Sequence, residues 1–197
     1  EITGFDQLPE VLRSIDAAVD SGLRVKVNVV LQQDKNAEEW QDILNIAEKQ
    51  SIDVRFIEMM PIWMGKEFHG VSEEELLRIL GEKLPRFSPY VGEPLGNGPC
   101  HYYKIEEFQG KIGFISAMTH KFCDQCNRVR MTAEGFLKAC LQYQTGTDLK
   151  NLMRSGCTDD ELTEAIQKVI WEKPVSHHFT SEEIETDECK LMSQIGG

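Results

Sequence analysis

The sequence has no long hydrophobic segment and comparatively few basic residues. No apolar run approaches the roughly 20 residues that a helix needs to cross a bilayer, so we expect no association with a membrane. Its 33 acidic residues outnumber its 21 basic residues and give a net charge of −12, which is unfavourable for binding a nucleic acid polymer. The acidic, mixed start also lacks the pattern of a secretory signal peptide, and we expect a cytoplasmic protein.

Six cysteines are present, and nothing in the sequence calls for disulfide bonds. Cytoplasmic thiols stay reduced, and a closely spaced Cys-x2-Cys pair there more often binds a metal or carries out redox chemistry. Cys123 and Cys126 form such a pair, and Cys140 follows after 13 further residues. We therefore predict a site in which a turn presents two thiolates and a hairpin returns the third.

Two kinds of metal site use this spacing. Structural zinc takes four protein ligands, and Cys157, His120 or His101 could supply the fourth. A 4Fe-4S cluster held by three cysteines keeps one iron open for a substrate or an exchangeable ligand; Cys100, Cys157 and Cys189 would then not be ligands. The spacing alone leaves both kinds of site open.

Arg128 and Arg130 follow Cys126 at a two-residue spacing. On an extended strand both side chains would lie on one face, with Val129 turned toward the packed side. Two guanidinium groups on one face form a fork for phosphate or carboxylate groups, so we predict a phosphate-binding role. The alternative is that both arginines form surface ion pairs with the abundant acidic residues.

The first 83 residues alternate between helical and strand-like hydrophobic patterns. These patterns predict, in order, helix 10–21, strand 23–31, helix 37–50, strand 53–60 and a helix from Ser72. Repeated alternation of this kind is typical of α/β proteins with parallel strands. Two parallel strands make a poor sheet by themselves, so we expect neighbouring strands upstream of this sequence.

The remaining chain follows a different pattern. Residues 84–99 are rich in proline and glycine and are expected to form a linker or surface loop. The sequence then predicts a β-hairpin around Glu106–Gly110, a second strand pair around 133–135, and helices 148–155 and 159–172. This small α+β extension, residues 100–197, would carry the cysteines. His177 and His178 are expected to be solvated loop residues, with a metal-binding role as the alternative.

Polar side chains interrupt the two predicted strands of the first part. Lys26 and Asn28 share one face of the first strand and would point into the lumen of a β/α barrel; an exposed edge strand is the alternative. Arg55 should face the same lumen or pair with a carboxylate such as Glu58. Met60 lies on the opposite face from Arg55, so the two can line one site only if the chain leaves regular strand geometry between them.

The stretch GFISAMTHKFCDQCNRVRMTAEGFLKACL resembles the cysteine–arginine signature of the MoaA family. VKVNVV, RFIEMMP and the terminal LMSQIGG resemble further landmarks of that family, in the same order along nearly the whole chain. The resemblance implies the C-terminal portion of a radical S-adenosylmethionine enzyme. It would consist of part of an incomplete TIM-like (β/α) barrel at 1–83, a linker at 84–99, and a cluster- and substrate-binding domain at 100–197.

Enzymes of this family are GTP 3′,8-cyclases, lyases that convert GTP to (8S)-3′,8-cyclo-7,8-dihydroguanosine 5′-triphosphate in molybdenum cofactor (molybdopterin) biosynthesis. The resemblance implies GTP and S-adenosylmethionine as partners, with a homodimer as the candidate assembly. By matching motifs, it implies these roles: Cys123, Cys126 and Cys140 as ligands of a substrate-side 4Fe-4S cluster; Lys26, Arg55, Arg128 and Arg130 as GTP contacts; Met60 as an S-adenosylmethionine contact; and Gly196 and Gly197 as a tail that reaches the active site.

One motif of the family is missing from the chain. The six cysteines do not include a Cys-x3-Cys-x2-Cys sequence. In the family this sequence holds the second 4Fe-4S cluster, which cleaves S-adenosylmethionine. We therefore expect the chain to need an upstream segment and to be inactive alone. The alternative is a stand-alone module that binds an iron–sulfur cluster or zinc.

Overall fold

A computed structural model describes residues 4–84, 86–179 and 187–195. The chain forms two compact units. The first consists of Glu1–Met59 and Phe68–His120, and the second of Met60–Glu67 and Lys121–Gly197. No helix of the described ranges has both the length and the hydropathy to cross a membrane.

The first unit contains the helices and strands predicted for the N-terminal part, in the predicted order. They are α1 (Leu8–Asp20), β1 (Lys26–Val29), α2 (Trp40–Lys49), β2 (Asp53–Ile57) and α3 (Glu73–Lys83). β1 and β2 pair in parallel, which confirms the α/β class. β2 ends at Ile57, three residues earlier than predicted, and the carboxylate of the next residue, Glu58, accepts hydrogen bonds from backbone N–H groups of other segments.

Three further strands complete the sheet of the first unit: β3 (Phe87–Pro89), β4 (His101–Ile105) and β5 (Ile112–Ile115). The strand order is β1-β2-β5-β4-β3, with β5 parallel to β2 and both β3–β4 and β4–β5 antiparallel. The predicted hairpin is therefore confirmed as β4–β5. The domain limits of 1–83, 84–99 and 100–197 stay a prediction, and the first compact unit continues to His120.

The core of the first unit is shared by the sheet, α2 and α3. Its buried members are Leu31, Trp40, Leu44, Ala47, Val54, Phe56, Leu76, Leu80, Ile105, Ile112 and Phe114. Helix α3 begins as predicted, since the Ser72 hydroxyl accepts a hydrogen bond from the Glu75 backbone N–H at 3.2 Å. Helix α1 is amphipathic but buries none of its residues.

The second unit is built on a small antiparallel sheet. Its strands are β6 (Arg130–Met131), β7 (Phe136–Lys138) and β8 (Gly146–Asp148), and its helices are α4 (Leu149–Arg154) and α5 (Asp159–Trp171). Thr158 begins α5 with a reciprocal capping box to Glu161. The predicted strand pair and both predicted helices are thus confirmed. Leu137, Ala139, Leu149 and Val169 form the core of this unit.

Candidate functional site

The three candidate cysteine ligands lie on the turn and hairpin that their spacing predicts. Cys123 begins a short 3-10 helix that ends at Gln125, and the Cys126 N–H donates to the Cys123 carbonyl at 3.2 Å. The β6–β7 hairpin then returns the chain to Cys140, two residues beyond β7. All three are free, partly buried thiols.

Two side chains link the three cysteines. Arg130 interacts electrostatically with Cys126 and Cys140, and Tyr143 with Cys140 and Cys123. Among the residues that the structure describes, no three or more His, Cys, Asp or Glu side chains are gathered to hold a metal ion. The three thiols therefore interact with the same two side chains but are not grouped around a single metal ion.

Two of the three sulfurs accept hydrogen bonds from one segment that follows α5. The His177 backbone N–H donates to Cys123 Sγ at 3.5 Å, and Lys173 Nζ donates to Cys126 Sγ at 3.4 Å. Lys173 Nζ also donates to the Arg128 carbonyl at 2.7 Å. The sequence interpretation missed both donors, and its only signal was a lysine just beyond an amphipathic helix, which is a common arrangement.

The expectation that His177 and His178 are solvated is wrong. His177 is only 9% exposed. His178 Nδ1 lies 2.8 Å from the Tyr143 hydroxyl, and its Nε2 lies 3.0 Å from the Asp187 carboxylate. The His178 side chain is 30% exposed, because it packs against Tyr143 and Asp187, which are distant in sequence.

The arginines of the signature differ in environment. Arg128 is exposed, and its guanidinium lies 5.9 Å from the ring centroid of Phe122. Arg130 begins β6 and is half-buried; burial lowers its pKa, and the charge of Arg128 lowers it further. Val129 is 47% exposed, so the prediction that it packs inward is wrong, because regular strand structure begins only at Arg130. The shared face of the two arginines stays a prediction.

Lys26 and Arg55 line one cavity of about 430 Å³ in the first unit. The Lys26 ammonium contacts the Leu95 carbonyl oxygen, and Arg55 Nε donates to Asn28 Oδ1 at 2.8 Å. The bond goes to Asn28 and not to a carboxylate such as Glu58, because the parallel register of β1 and β2 sets Asn28 opposite Arg55. The alternative, that Arg55 faces a barrel lumen, stays a prediction. β1 lies at the edge of the sheet, and its Asn28 is exposed.

The same cavity contains Cys100 beside Tyr102. Burial raises the pKa of Cys100, although a hydrogen bond with Tyr102 and the charges of Arg55 and Lys26 oppose the rise. Burial also raises the pKa of Tyr102 to about 12, and Cys100 adds to the effect. Both groups are therefore neutral at pH 7, and Cys100 lacks the thiolate character of a nucleophile.

A buried carboxylate, which the sequence interpretation missed, lies near the ends of β2 and β5. The Glu73 side chain is 3% exposed and contacts the Ser116 hydroxyl and His101 Nε2. His120 Nδ1 lies 3.3 Å from the other oxygen of Glu73. Both histidines that could have completed a zinc site thus interact with this carboxylate.

The remaining candidate residues, Met60, Gly196 and Gly197, belong neither to the cysteine site nor to the cavity that Lys26 and Arg55 line. Met60 belongs to the second unit and is half-buried beyond β2, and its carbonyl accepts a hydrogen bond from the Ile62 N–H at 2.8 Å. Regular strand geometry ends at Ile57, before Met60. Gly196 and Gly197 lie outside the described residues.

Comparison with known proteins gives consistent matches. The family described as Molybdenum Cofactor Synthesis C matches residues 52–179. A GTP 3′,8-cyclase of Clostridium perfringens (strain SM101 / Type A) is 46% identical over 198 aligned residues, which cover all of this chain and 60% of that protein. The GTP 3′,8-cyclases of Clostridium botulinum (strain Langeland) and Heliobacterium modesticaldum are 37% and 38% identical. The chain spans about 60% of the length of the curated relatives that it matches.

Proposed function

The chain belongs to the Molybdenum Cofactor Synthesis C family, and from this premise we propose that it is the substrate-binding portion of a GTP 3′,8-cyclase. The relatives that match its whole length carry that name. The reaction would convert GTP to (8S)-3′,8-cyclo-7,8-dihydroguanosine 5′-triphosphate by radical S-adenosylmethionine chemistry. The observation that carries the proposal is the group of three free thiols with two arginines beside them.

We assign Cys123, Cys126 and Cys140 as the ligands of a 4Fe-4S cluster, because thiolates are the donors that such clusters use. All three are reduced and partly buried, and two of their sulfurs accept hydrogen bonds from Lys173 and from the His177 backbone. Donors of this kind stabilise the negative charge of thiolate ligands. When bound, the cluster would offer an open iron to the guanine of GTP.

The triphosphate requires cations, because a net charge of −12 repels it. We assign this role to Arg128 and Arg130, which lie close enough for the charge of one to lower the pKa of the other. Such a pair is stabilised by an anion placed between its members. Lys26 and Arg55, together in the cavity of the first unit, are the further cations that we assign to GTP.

The remaining roles are assigned by the resemblance to the family. Met60 is assigned to S-adenosylmethionine, and Gly196 and Gly197 to the tail that reaches the active site. We assign S-adenosylmethionine cleavage, with its own 4Fe-4S cluster, to an upstream segment, and we assign β1 and β2 to the incomplete barrel of the family. We assign a homodimer as the assembly, and size-exclusion chromatography with light scattering tests this assignment.

Iron analysis of six cysteine variants tests the proposal. The 197-residue chain, reconstituted anaerobically with iron and sulfide, should hold about four iron and four labile sulfide per chain. Cys123→Ala, Cys126→Ala and Cys140→Ala should each lose the cluster. Cys100→Ala, Cys157→Ala and Cys189→Ala are matched controls and should keep it. Stoichiometric zinc without labile sulfide would instead establish a zinc-binding module.

The expected dependence on an upstream segment has its own test. The reconstituted chain, given S-adenosylmethionine and a strong reductant, should release no 5′-deoxyadenosine, because no Cys-x3-Cys-x2-Cys motif is present. Product above the level of a metal-free control would contradict this expectation.

A further inference from the structure

The six residues Lys173–His178, which we call the cysteine strap, contact both sulfurs of the Cys123–Cys126 turn in the second unit. At one end, Lys173 Nζ donates to Cys126 Sγ at 3.4 Å and to the Arg128 carbonyl at 2.7 Å. Near the other end, the His177 N–H donates to Cys123 Sγ at 3.5 Å. Two ligand sulfurs thus receive their hydrogen bonds from one short segment.

The far end of the cysteine strap is itself held in place. The Tyr143 hydroxyl donates to the Ser176 carbonyl at 2.9 Å, and Lys121 Nζ donates to the His177 carbonyl at 3.2 Å. The His178 N–H donates to Gln142 Oε1 at 2.7 Å. Bonds on both sides restrict the strap, so its donors face the sulfurs without a large loss of conformational entropy on binding a cluster.

Lys173 is the member of the strap that brings a full positive charge to a sulfur. It is half-buried, and a charge in such a position is screened less than one on an exposed surface. A cation beside a ligating thiolate stabilises the more negative, reduced form of an iron–sulfur cluster, and hydrogen bonds to the sulfurs act in the same direction. Removal of this charge should therefore lower the reduction potential.

We propose that Lys173 is a positioning residue that sets the reduction potential of the cluster at Cys123, Cys126 and Cys140. It does so by placing its ammonium on Cys126 Sγ, while its bond to the Arg128 carbonyl holds the phosphate-binding stretch beside the same sulfur. The inference rests on the proposed function, since it requires an iron–sulfur cluster at the three cysteines. It adds a residue outside the cysteine–arginine signature to the site.

Three substitutions separate charge from hydrogen bonding and from shape. Lys173→Arg keeps the charge, Lys173→Gln keeps a neutral donor, and Lys173→Met removes both with little change in volume. Lys168→Met is the matched control, because Lys168 is a lysine of α5 with a 70% exposed side chain. Each variant would be prepared as the full 197-residue chain, reconstituted anaerobically, and checked for iron, sulfide and far-UV circular dichroism.

The measurement is the midpoint potential of the cluster, titrated with dithionite, which supplies the one electron, and followed by electron paramagnetic resonance. Lys173→Met should change the reduction equilibrium constant about tenfold, which lowers the potential by about 59 mV. Lys173→Gln should fall between Lys173→Met and the parent chain. Lys173→Arg and Lys168→Met should match the parent.

The outcomes distinguish this inference from the proposed function. Normal iron loading with an unshifted potential in Lys173→Met overturns the role of Lys173 and leaves the cluster assignment intact. A parent chain that loads no iron overturns both. Loss of iron in Lys173→Met that Lys173→Arg restores supports the positioning role, whereas loss in both variants shows a purely structural side chain and overturns it.

Discussion

Glu58 Oε1 accepts a hydrogen bond from the backbone N–H of Glu73, the first residue of helix α3, at 3.0 Å. Its carboxylate also accepts bonds from the Met118 and Thr119 N–H groups and from the Thr119 hydroxyl. One side chain directly after β2 thus joins the start of α3 to the turn after β5. A carboxylate at a helix N-terminus also interacts favourably with the helix dipole.

Glu58 should make stability pH-dependent. Burial raises its pKa, but the four hydrogen bonds lower it more, and the net pKa lies below the ordinary value of 4.5. Because the folded pKa is lowered, the stabilisation is complete above about pH 4.5 and is lost as the pH falls through the folded value. Glu58→Gln should lower the free energy of unfolding at pH 7 by about 1.5–3 kcal/mol and flatten the acid limb of the profile.

Urea unfolding at a series of pH values measures both effects. The control is Glu82→Gln, whose parent side chain is 63% exposed on α3 and should change stability by less than about 0.5 kcal/mol. Parallel pH profiles for the parent and Glu58→Gln would show that Glu58 is not the group responsible.

Lys138 and Glu188 form an ion pair whose side chains are 2% and 5% exposed. Removing one partner leaves the other charge buried without compensation, so Lys138→Met or Glu188→Leu alone should cost about 3–5 kcal/mol. The double variant should lose much less than the sum of the two. A double-mutant cycle from denaturant unfolding measures the coupling, and additive losses would refute it. The exposed pair of Lys190 and Glu134 is the control, with an expected coupling below about 1 kcal/mol.

Two glycine-to-alanine substitutions should have opposite effects. A Cβ at Gly110 would lie 1.8 Å from the Ile52 carbonyl oxygen, whereas one at Gly81 would meet nothing within 4 Å. Gly110→Ala should therefore cost at least about 1–3 kcal/mol through backbone displacement. Gly81→Ala, within α3, should raise stability by about 0.8–1 kcal/mol, because alanine favours the helix. Thermal melts of both variants test the pair, and a tolerated Gly110→Ala would contradict the close packing of Gly110 against the Ile52 carbonyl.

Arg128→Ala and Arg130→Ala should each weaken GTP binding by about tenfold to a hundredfold, because a charge-assisted contact contributes roughly 1.5–3 kcal/mol. Guanosine, which lacks phosphates, should be affected much less, and iron content should stay unchanged. Arg154→Ala, which changes an exposed arginine at the end of α4, is the matched control. Calorimetric titration of the reconstituted chain measures the affinities. Unchanged GTP binding would make the arginines surface charges, and loss of iron would make them supports of the cysteine turn.

Local spacing in the sequence determined the elements that depend on neighbouring residues. The alternation of β1, the hydroxyl of Ser72 bonded to the Glu75 N–H, and the Cys123–Cys126 turn each involve residues no more than a few positions apart. Their geometry follows from backbone periodicity and short hydrogen-bonded rings. The order of helices and strands, and the hairpin that carries Cys140 back, could therefore be predicted.

Only the tertiary structure decided which distant groups meet. Lys173 reaches Cys126 across 47 residues and the His177 N–H reaches Cys123 across 54, while Arg55 finds Asn28 through the register of two strands. A sequence pattern predicts whether a residue is exposed only from the residues next to it, and the residues around His177 and His178 indicated that both are solvated. The observed burial follows from packing between segments, which depends on the shape and hydrogen-bonding capacity of surfaces that exist only after the chain has folded.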